Sequence, residues 1–125
     1  MNLVLAIAGG GALGSLARHF LSSAIYRAIG AQFPWGILVV NVLGGLAMGF
    51  VVELGALKFQ FSPEARAFLT TGILGGFTTF STFSLDTAAL IQRGDWVSAA
   101  VYVIASVILS IVALFAAMWL VRSFG

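Results

Sequence analysis

The amino-acid sequence predicts an all-α membrane protein of four transmembrane helices, and three observations carry that prediction. Hydrophobic residues make up 61% of the 125 positions and charged residues 8%, whereas soluble domains carry about 25% charged residues. Mean hydropathy is +1.11. Four stretches, 1–17, 28–52, 67–85 and 96–121, hold no charged side chain, and a helix crossing the hydrocarbon core needs about 20 predominantly apolar residues.

The second and fourth stretches meet that length outright. The first reaches it if Arg18 snorkels to the interface, and the third if it runs past Asp86 to about Leu90. The first helix is expected over about 2–22. It lacks the positively charged start of a signal peptide, and further spans follow, so it reads as retained. The second, about 34–53, opens on Pro34 and Trp35, a first-turn proline and an interfacial tryptophan. The third, about 63–91, opens on Ser62-Pro63-Glu64. The fourth, about 96–122, is entered through Arg93-Gly94-Asp95-Trp96. Residues 1–125 thus read as one four-helix transmembrane domain, with no soluble domain and no long linker.

Several function classes drop out. There is no cysteine, hence no disulfide framework, thiolate metal site or cysteine nucleophile. One histidine and four scattered carboxylates offer little for an acid–base pair, so no enzyme is expected. The net charge of +2 comes from singly scattered residues and makes no nucleic-acid surface. Gly9, Gly11 and Gly14 match G-x-G-x-x-G, but no Asp or Glu occurs before Glu53, so dinucleotide binding is rejected.

The basic residues say something about assembly. Arg18, Arg27 and Arg93 fall on one side of the expected membrane and Lys58, Arg66 and Arg122 on the other. The positive-inside rule therefore gives no clear orientation. Either another feature sets a weak bias, or both orientations insert and pair as an antiparallel dimer. Four short helices enclose little interior, so some oligomer is expected. Gly10 and Gly14, Gly45 and Gly49, and Gly72 and Gly76 form G-x-x-x-G pairs that let helix backbones approach closely.

Polar residues recur at membrane depth. Asn41 lies near the middle of the second helix. Tyr102, Ser106 and Ser110 share one face of the fourth. In the third, Gly75-Gly76-Phe77-Thr78-Thr79-Phe80-Ser81-Thr82-Phe83 gathers hydroxyls, phenyl rings and glycines that suit lipid poorly. Phe80 and Phe83 share a face, as do Thr79 and Thr82. Taken singly, each has a plain alternative. An amide can bond a neighbouring helix, a serine its own backbone, and an aromatic pair can simply pack. Together they form a line of neutral donors with no midplane carboxylate or ammonium. Phenyl edges are electropositive, so the line suits a small anion better than a cation or a proton-coupled substrate.

These motifs, from Gly10-Gly11-Ala12-Leu13-Gly14 and Arg18 through Trp35-Gly36 and Asn41 to residues 75–83 and Tyr102, resemble the Fluc (CrcB-type) fluoride channels over essentially the whole chain. The resemblance implies a multi-pass protein of the bacterial inner membrane that lets cytoplasmic fluoride leak out. It implies an antiparallel dual-topology homodimer with two pores, and a third helix broken at its centre. Phe80 and Phe83 would present ring edges to fluoride, Asn41 would donate a hydrogen bond, and Ser81, Thr82 and Thr79 would line or approach the path. Tyr102, Ser106 and Ser110 would form a polar track beside them. A structural sodium ion would be held by the main-chain carbonyls of Gly75 and Thr78 from both subunits. Arg18 would sit at a vestibule or helix end, or serve as an interfacial anchor. One departure is Ile37, where some relatives carry threonine. The alternative is a small dual-topology proton-coupled multidrug exporter, for which Asp86 is the only candidate acid. A non-transporting subunit of a larger complex is the third reading.

Overall fold

A computed structural model describes residues 2–124. Every regular element among the described residues is helical. Helix α1 spans Asn2–Ile29 and α2 Trp35–Leu57. Then come α3 (Pro63–Ala67), a π-helical segment (Phe68–Leu74), α4 (Gly75–Phe77), α5 (Phe80–Gln92) and α6 (Trp96–Phe124). Three helices, α1, α2 and α6, are long and apolar enough to cross a membrane. The third stretch is built in pieces, since α5 with its 13 residues rises only about 20 Å, short of a hydrocarbon core about 30 Å thick.

Local chemistry explains the ends. Helix α1 continues past the expected residue 22 to Gly30, whose φ of 101° suits a residue without Cβ and whose N–H closes on Tyr26 O at 2.8 Å. The longer helix carries Tyr26 to the start of α2, where its hydroxyl accepts from Ile37 N–H at 3.3 Å. That bond matters because Pro34, at the cap position of α2, has no side-chain acceptor. Ser62 caps α3 by accepting from Ala65 N–H at 3.1 Å, with Pro63 in the first turn. Helix α5 ends at Gln92, and Gly94, φ 82°, follows its cap residue Arg93. Asp95 then caps α6 by accepting from Ser98 N–H at 3.2 Å, and that bonding holds its carboxyl below the usual carboxylate range.

Packing follows the glycine pairs. Helix α2 runs along α6, and α1 lies against the π-helical segment, α4 and α2. A Cβ on Gly14 would come 2.0 Å from Ile73 O, and one on Gly76 2.6 Å from Gly11 O. Gly45 and Gly49 meet Ser110 O and Leu114 O of α6 in the same way. A small core gathers Ile37, Leu38, Leu90, Ala99 and the fully buried Tyr102. Outside it, large apolar side chains such as Val97, Val101, Ile108 and Trp119 are exposed, the surface expected of a lipid-facing protein.

One ion pair fastens the far ends of α2 and α6. Glu53, 7% exposed, accepts from Arg122 Nε. The Arg122 side chain is 59% exposed, so Arg122→Gln is expected to cost about 2 kcal/mol, less than the 3–5 kcal/mol of a fully buried pair. Thermal unfolding in detergent reads that cost, and adding Glu53→Gln should recover most of it.

Candidate functional site

The site is built around an interruption in the backbone. After α4 ends at Phe77, Thr78 (φ −86°, ψ 159°) and Thr79 (φ −151°, ψ 125°) are both extended, and α5 begins at Phe80. In a continuous helix the N–H of Thr79 would bond Gly75 O and that of Phe80 would bond Gly76 O. Those bonds are given up, and side chains supply the partners.

Asn41 supplies two of them. Its Oδ1 accepts from Thr79 N–H at 2.9 Å and its Nδ2 donates to Thr79 O at 3.1 Å. The amide thus pairs with the backbone of Thr79 as a neighbouring strand would. Arg18 supplies two more, its Nη1 donating to Gly76 O at 2.9 Å and to Thr78 O at 3.3 Å. A cation there also opposes the partial negative charge at the C-terminal end of α4. Thr79 Oγ1 caps α5 by accepting from Thr82 N–H at 3.1 Å, and Thr78 Oγ1 donates to Leu74 O at 3.0 Å.

Beside the interruption lies an open cleft of about 370 Å³. Six of the expected pathway residues line it: Asn41, Thr79, Phe80, Phe83, Ser106 and Ser110. Gly75 and Thr78 line it too. Phe80 is 79% exposed, and its ring centroid lies 5.6 Å from that of Phe83. Ser106 Oγ is buried and has no hydrogen-bond partner among the described residues, a state that a polar occupant of the cleft would relieve. No Asp, Glu, Lys or Arg lines the cleft among the described residues.

The other expected residues fall elsewhere. Tyr102 is buried behind Phe83, with centroids 5.1 Å apart, and donates its hydroxyl to Asp86 Oδ2 at 3.1 Å. Ser81 Oγ lies 3.3 Å from Thr79 Oγ1, and Thr82 meets Thr79 through its backbone; neither lines the cleft. Ile37 is packed in the core rather than in the cleft wall, so a hydroxyl is not missing from that wall at this position. Arg18 lies within α1, and its guanidinium meets carbonyls at and just past the end of α4.

Sequence reasoning missed part of the lining. Gly44 belongs to it, because a Cβ there would lie 2.1 Å from Thr78 Cγ2. The Gly44-Gly45 doublet beside Asn41 was the available signal. Met48, Leu74, Val107 and Leu114 give the apolar remainder and carry no mark that separates them from ordinary lipid-facing residues.

The donor set also bears on a cation. The N–H that would occupy Gly75 O is diverted to Asn41, which frees that carbonyl, and Thr78 O meets only the longer Arg18 contact. Neutral oxygens of this kind suit a hard cation, but two from one chain are too few to enclose it.

Comparison with known proteins places this geometry among relatives. Residues 5–118 match the family described as CrcB-like protein, Camphor Resistance (CrcB). The chain is 49% identical over 123 residues, 98% of each chain, to a protein of Rhodospirillum centenum named fluoride-specific ion channel FluC. Proteins of the same name from Nitrobacter winogradskyi and a Chelativorans species are 50% identical over 121 residues and 55% identical over 114. The first alignment covers 97% of this chain and 96% of the relative, the second 91% of each.

Proposed function

The chain belongs to the CrcB-like protein family, and on that premise we propose that it is a passive fluoride-selective channel of the bacterial inner membrane. The observation that carries the reading is the cleft: neutral donors and phenyl rings gathered at a helix interruption, with no charged side chain in its wall among the described residues. Phenyl edges and amide or hydroxyl hydrogens attract an anion without holding it as an ammonium would, and conduction needs release as well as entry. The first turn of α5 adds its partial positive charge at the same point.

In this reading fluoride passes along Phe80 and Phe83, with Asn41, Thr79, Ser81 and Thr82 near the interruption and Ser106 and Ser110 along α6. Tyr102 supports Phe83 from behind. The cleft is open on one side of a single chain, so a second, antiparallel copy closes it and makes a homodimer with two pores. The Gly75 and Thr78 carbonyls of both copies would hold a sodium ion, whose positive charge would fix the two interruptions against each other. Export needs no coupled pump, because the membrane potential acts on an anion with about 2.3 kcal/mol per 100 mV. Cytoplasmic fluoride, accumulated as HF from acid surroundings, leaves down that gradient, and the cell is protected from its toxicity.

The relatives named above lend the exporter reading no support, and Asp86, the acid it would use, is engaged by Tyr102. Proteoliposomes loaded with fluoride or chloride test the proposal. Rapid fluoride efflux with negligible chloride efflux is expected, and Phe80→Ile should lower fluoride efflux at least tenfold while the protein elutes unchanged. Comparable chloride flux, or full fluoride flux in Phe80→Ile, would sink it.

A further inference from the structure

At the end opposite the starts of α2 and α6, the C-terminal turns of those two helices form a second groove of about 360 Å³. Phe50 and Leu54 of α2, Leu120, Val121 and Phe124 of α6, and Lys58 line it. Five walls are apolar and one is a cation, and the cation stands just beyond the last residue of α2. That is where a membrane-crossing helix meets the headgroups.

The charges at this end are unequal in what they can still do. The Arg122 guanidinium is already engaged by Glu53. Lys58 is exposed and makes no ion pair among the described residues. Around it Leu57, Phe59 and Phe124 are 55%, 53% and 81% exposed, so an uncompensated ammonium sits inside a rim of uncovered hydrocarbon. A free phosphate would satisfy the ammonium and leave the groove wet. An apolar peptide would fill the groove and leave the ammonium facing hydrocarbon. An anionic phospholipid satisfies both at once.

We propose that this groove binds an anionic phospholipid, its acyl chain between α2 and α6 and its phosphate on Lys58. The site is separate from the cleft and does not depend on what the cleft conducts. A lysine at an anionic membrane surface is worth about 1 kcal/mol, or roughly a fivefold preference.

Native mass spectrometry of the full chain, equilibrated with phosphatidylglycerol or phosphatidylcholine of matched acyl chains, tests it. About fivefold greater retention of phosphatidylglycerol is expected, falling to parity in Lys58→Gln and persisting in Arg66→Gln, which removes an exposed cation outside the groove. Leu54→Trp, which fills the groove, should lower phosphatidylglycerol retention as well. If that variant does not purify, the Lys58 and Arg66 pair decides alone. Equal retention of the two lipids overturns the proposal. So does a loss in Arg66→Gln as large as in Lys58→Gln, which would mean general surface attraction. Inorganic phosphate alone raising the thermal midpoint as much as phosphatidylglycerol would assign the site to a free anion and overturn it too.

Discussion

Replacing Asn41 with aspartate is expected to lower fluoride flux at least a hundredfold. The substitution changes one group at constant shape. Aspartate keeps an oxygen to accept the Thr79 N–H, but it loses the Nδ2 donor that Thr79 O now receives at 3.1 Å. The carboxylate then faces that carbonyl and places a negative charge in a cleft wall that has none among the described residues. Two unit charges 4 Å apart repel by about 4 kcal/mol at an effective dielectric of about 20, and a hundredfold loss needs only about 2.7 kcal/mol. The interruption itself should survive, because the bond to Thr79 N–H and both Arg18 bonds remain. Stopped-flow or electrode-monitored efflux from proteoliposomes measures the flux, and circular dichroism with gel filtration checks the fold. Undiminished flux in a well-folded Asn41→Asp protein would remove Asn41 from the path.

Gly14→Ala is expected to have the largest effect on stability. The added methyl would fall 2.0 Å from Ile73 O and 2.9 Å from Ile73 C and Phe77 N. All three are backbone atoms of the elements that lead into the interruption, so no side chain can rotate out of the way. Overpacking costs typically 1–3 kcal/mol and sometimes more; with backbone on both sides the loss should reach about 3 kcal/mol. Gly11→Ala is the matched control, since among the described residues nothing lies within 4 Å of its Cβ position. Thermal unfolding in detergent should show a clear fall in midpoint for Gly14→Ala and almost none for Gly11→Ala. Equal midpoints would mean that α1 does not rest on Ile73 and Phe77 as described.

These two residues also show how far the sequence could be read. Gly14 was legible as a contact point because its spacing from Gly10 marks a helix face, and the partner glycines Gly72 and Gly76 announce the opposite wall. Asn41 was legible as an anomaly, an amide amid Val-Val-Asn-Val-Leu, but its geometry was not. From sequence it reads either as an amide bonded to a neighbouring helix or as a donor to the conducted ion. In the fold both ends of its amide are engaged by Thr79, so its first task is to hold the interruption open. Nothing in the residues around Asn41 says which backbone segment, 38 positions on, will lie opposite it.

Arg18 follows the same pattern. A lone arginine at the end of an uncharged run usually reaches for the headgroups, and the sequence alone gives no reason to turn it inward. What turns it is a pair of carbonyls that become available only because Thr78 and Thr79 leave the helix. The π-helical segment and the extension of α1 to Ile29 were likewise invisible, since hydrophobic content fixes neither helical register nor where a helix stops beyond the membrane. Composition identifies the class of molecule and marks the polar residues worth asking about. The pairing of those residues is decided by contacts distant along the chain.

The long reach of Arg18 sets an order of events during synthesis. Its acceptors at Gly76 and Thr78 lie 58 and 60 residues downstream. At about 5–20 residues per second, the ribosome takes several seconds to make that stretch. For that interval the first helix carries a guanidinium with none of its final partners, and a charge in that state is costly in hydrocarbon. The first helix therefore waits near the translocon or the interface, with Arg18 turned toward water. Its final contacts can form only after the interrupted segment has been made, so the first helix is fixed in place by a part of the chain synthesised well after it.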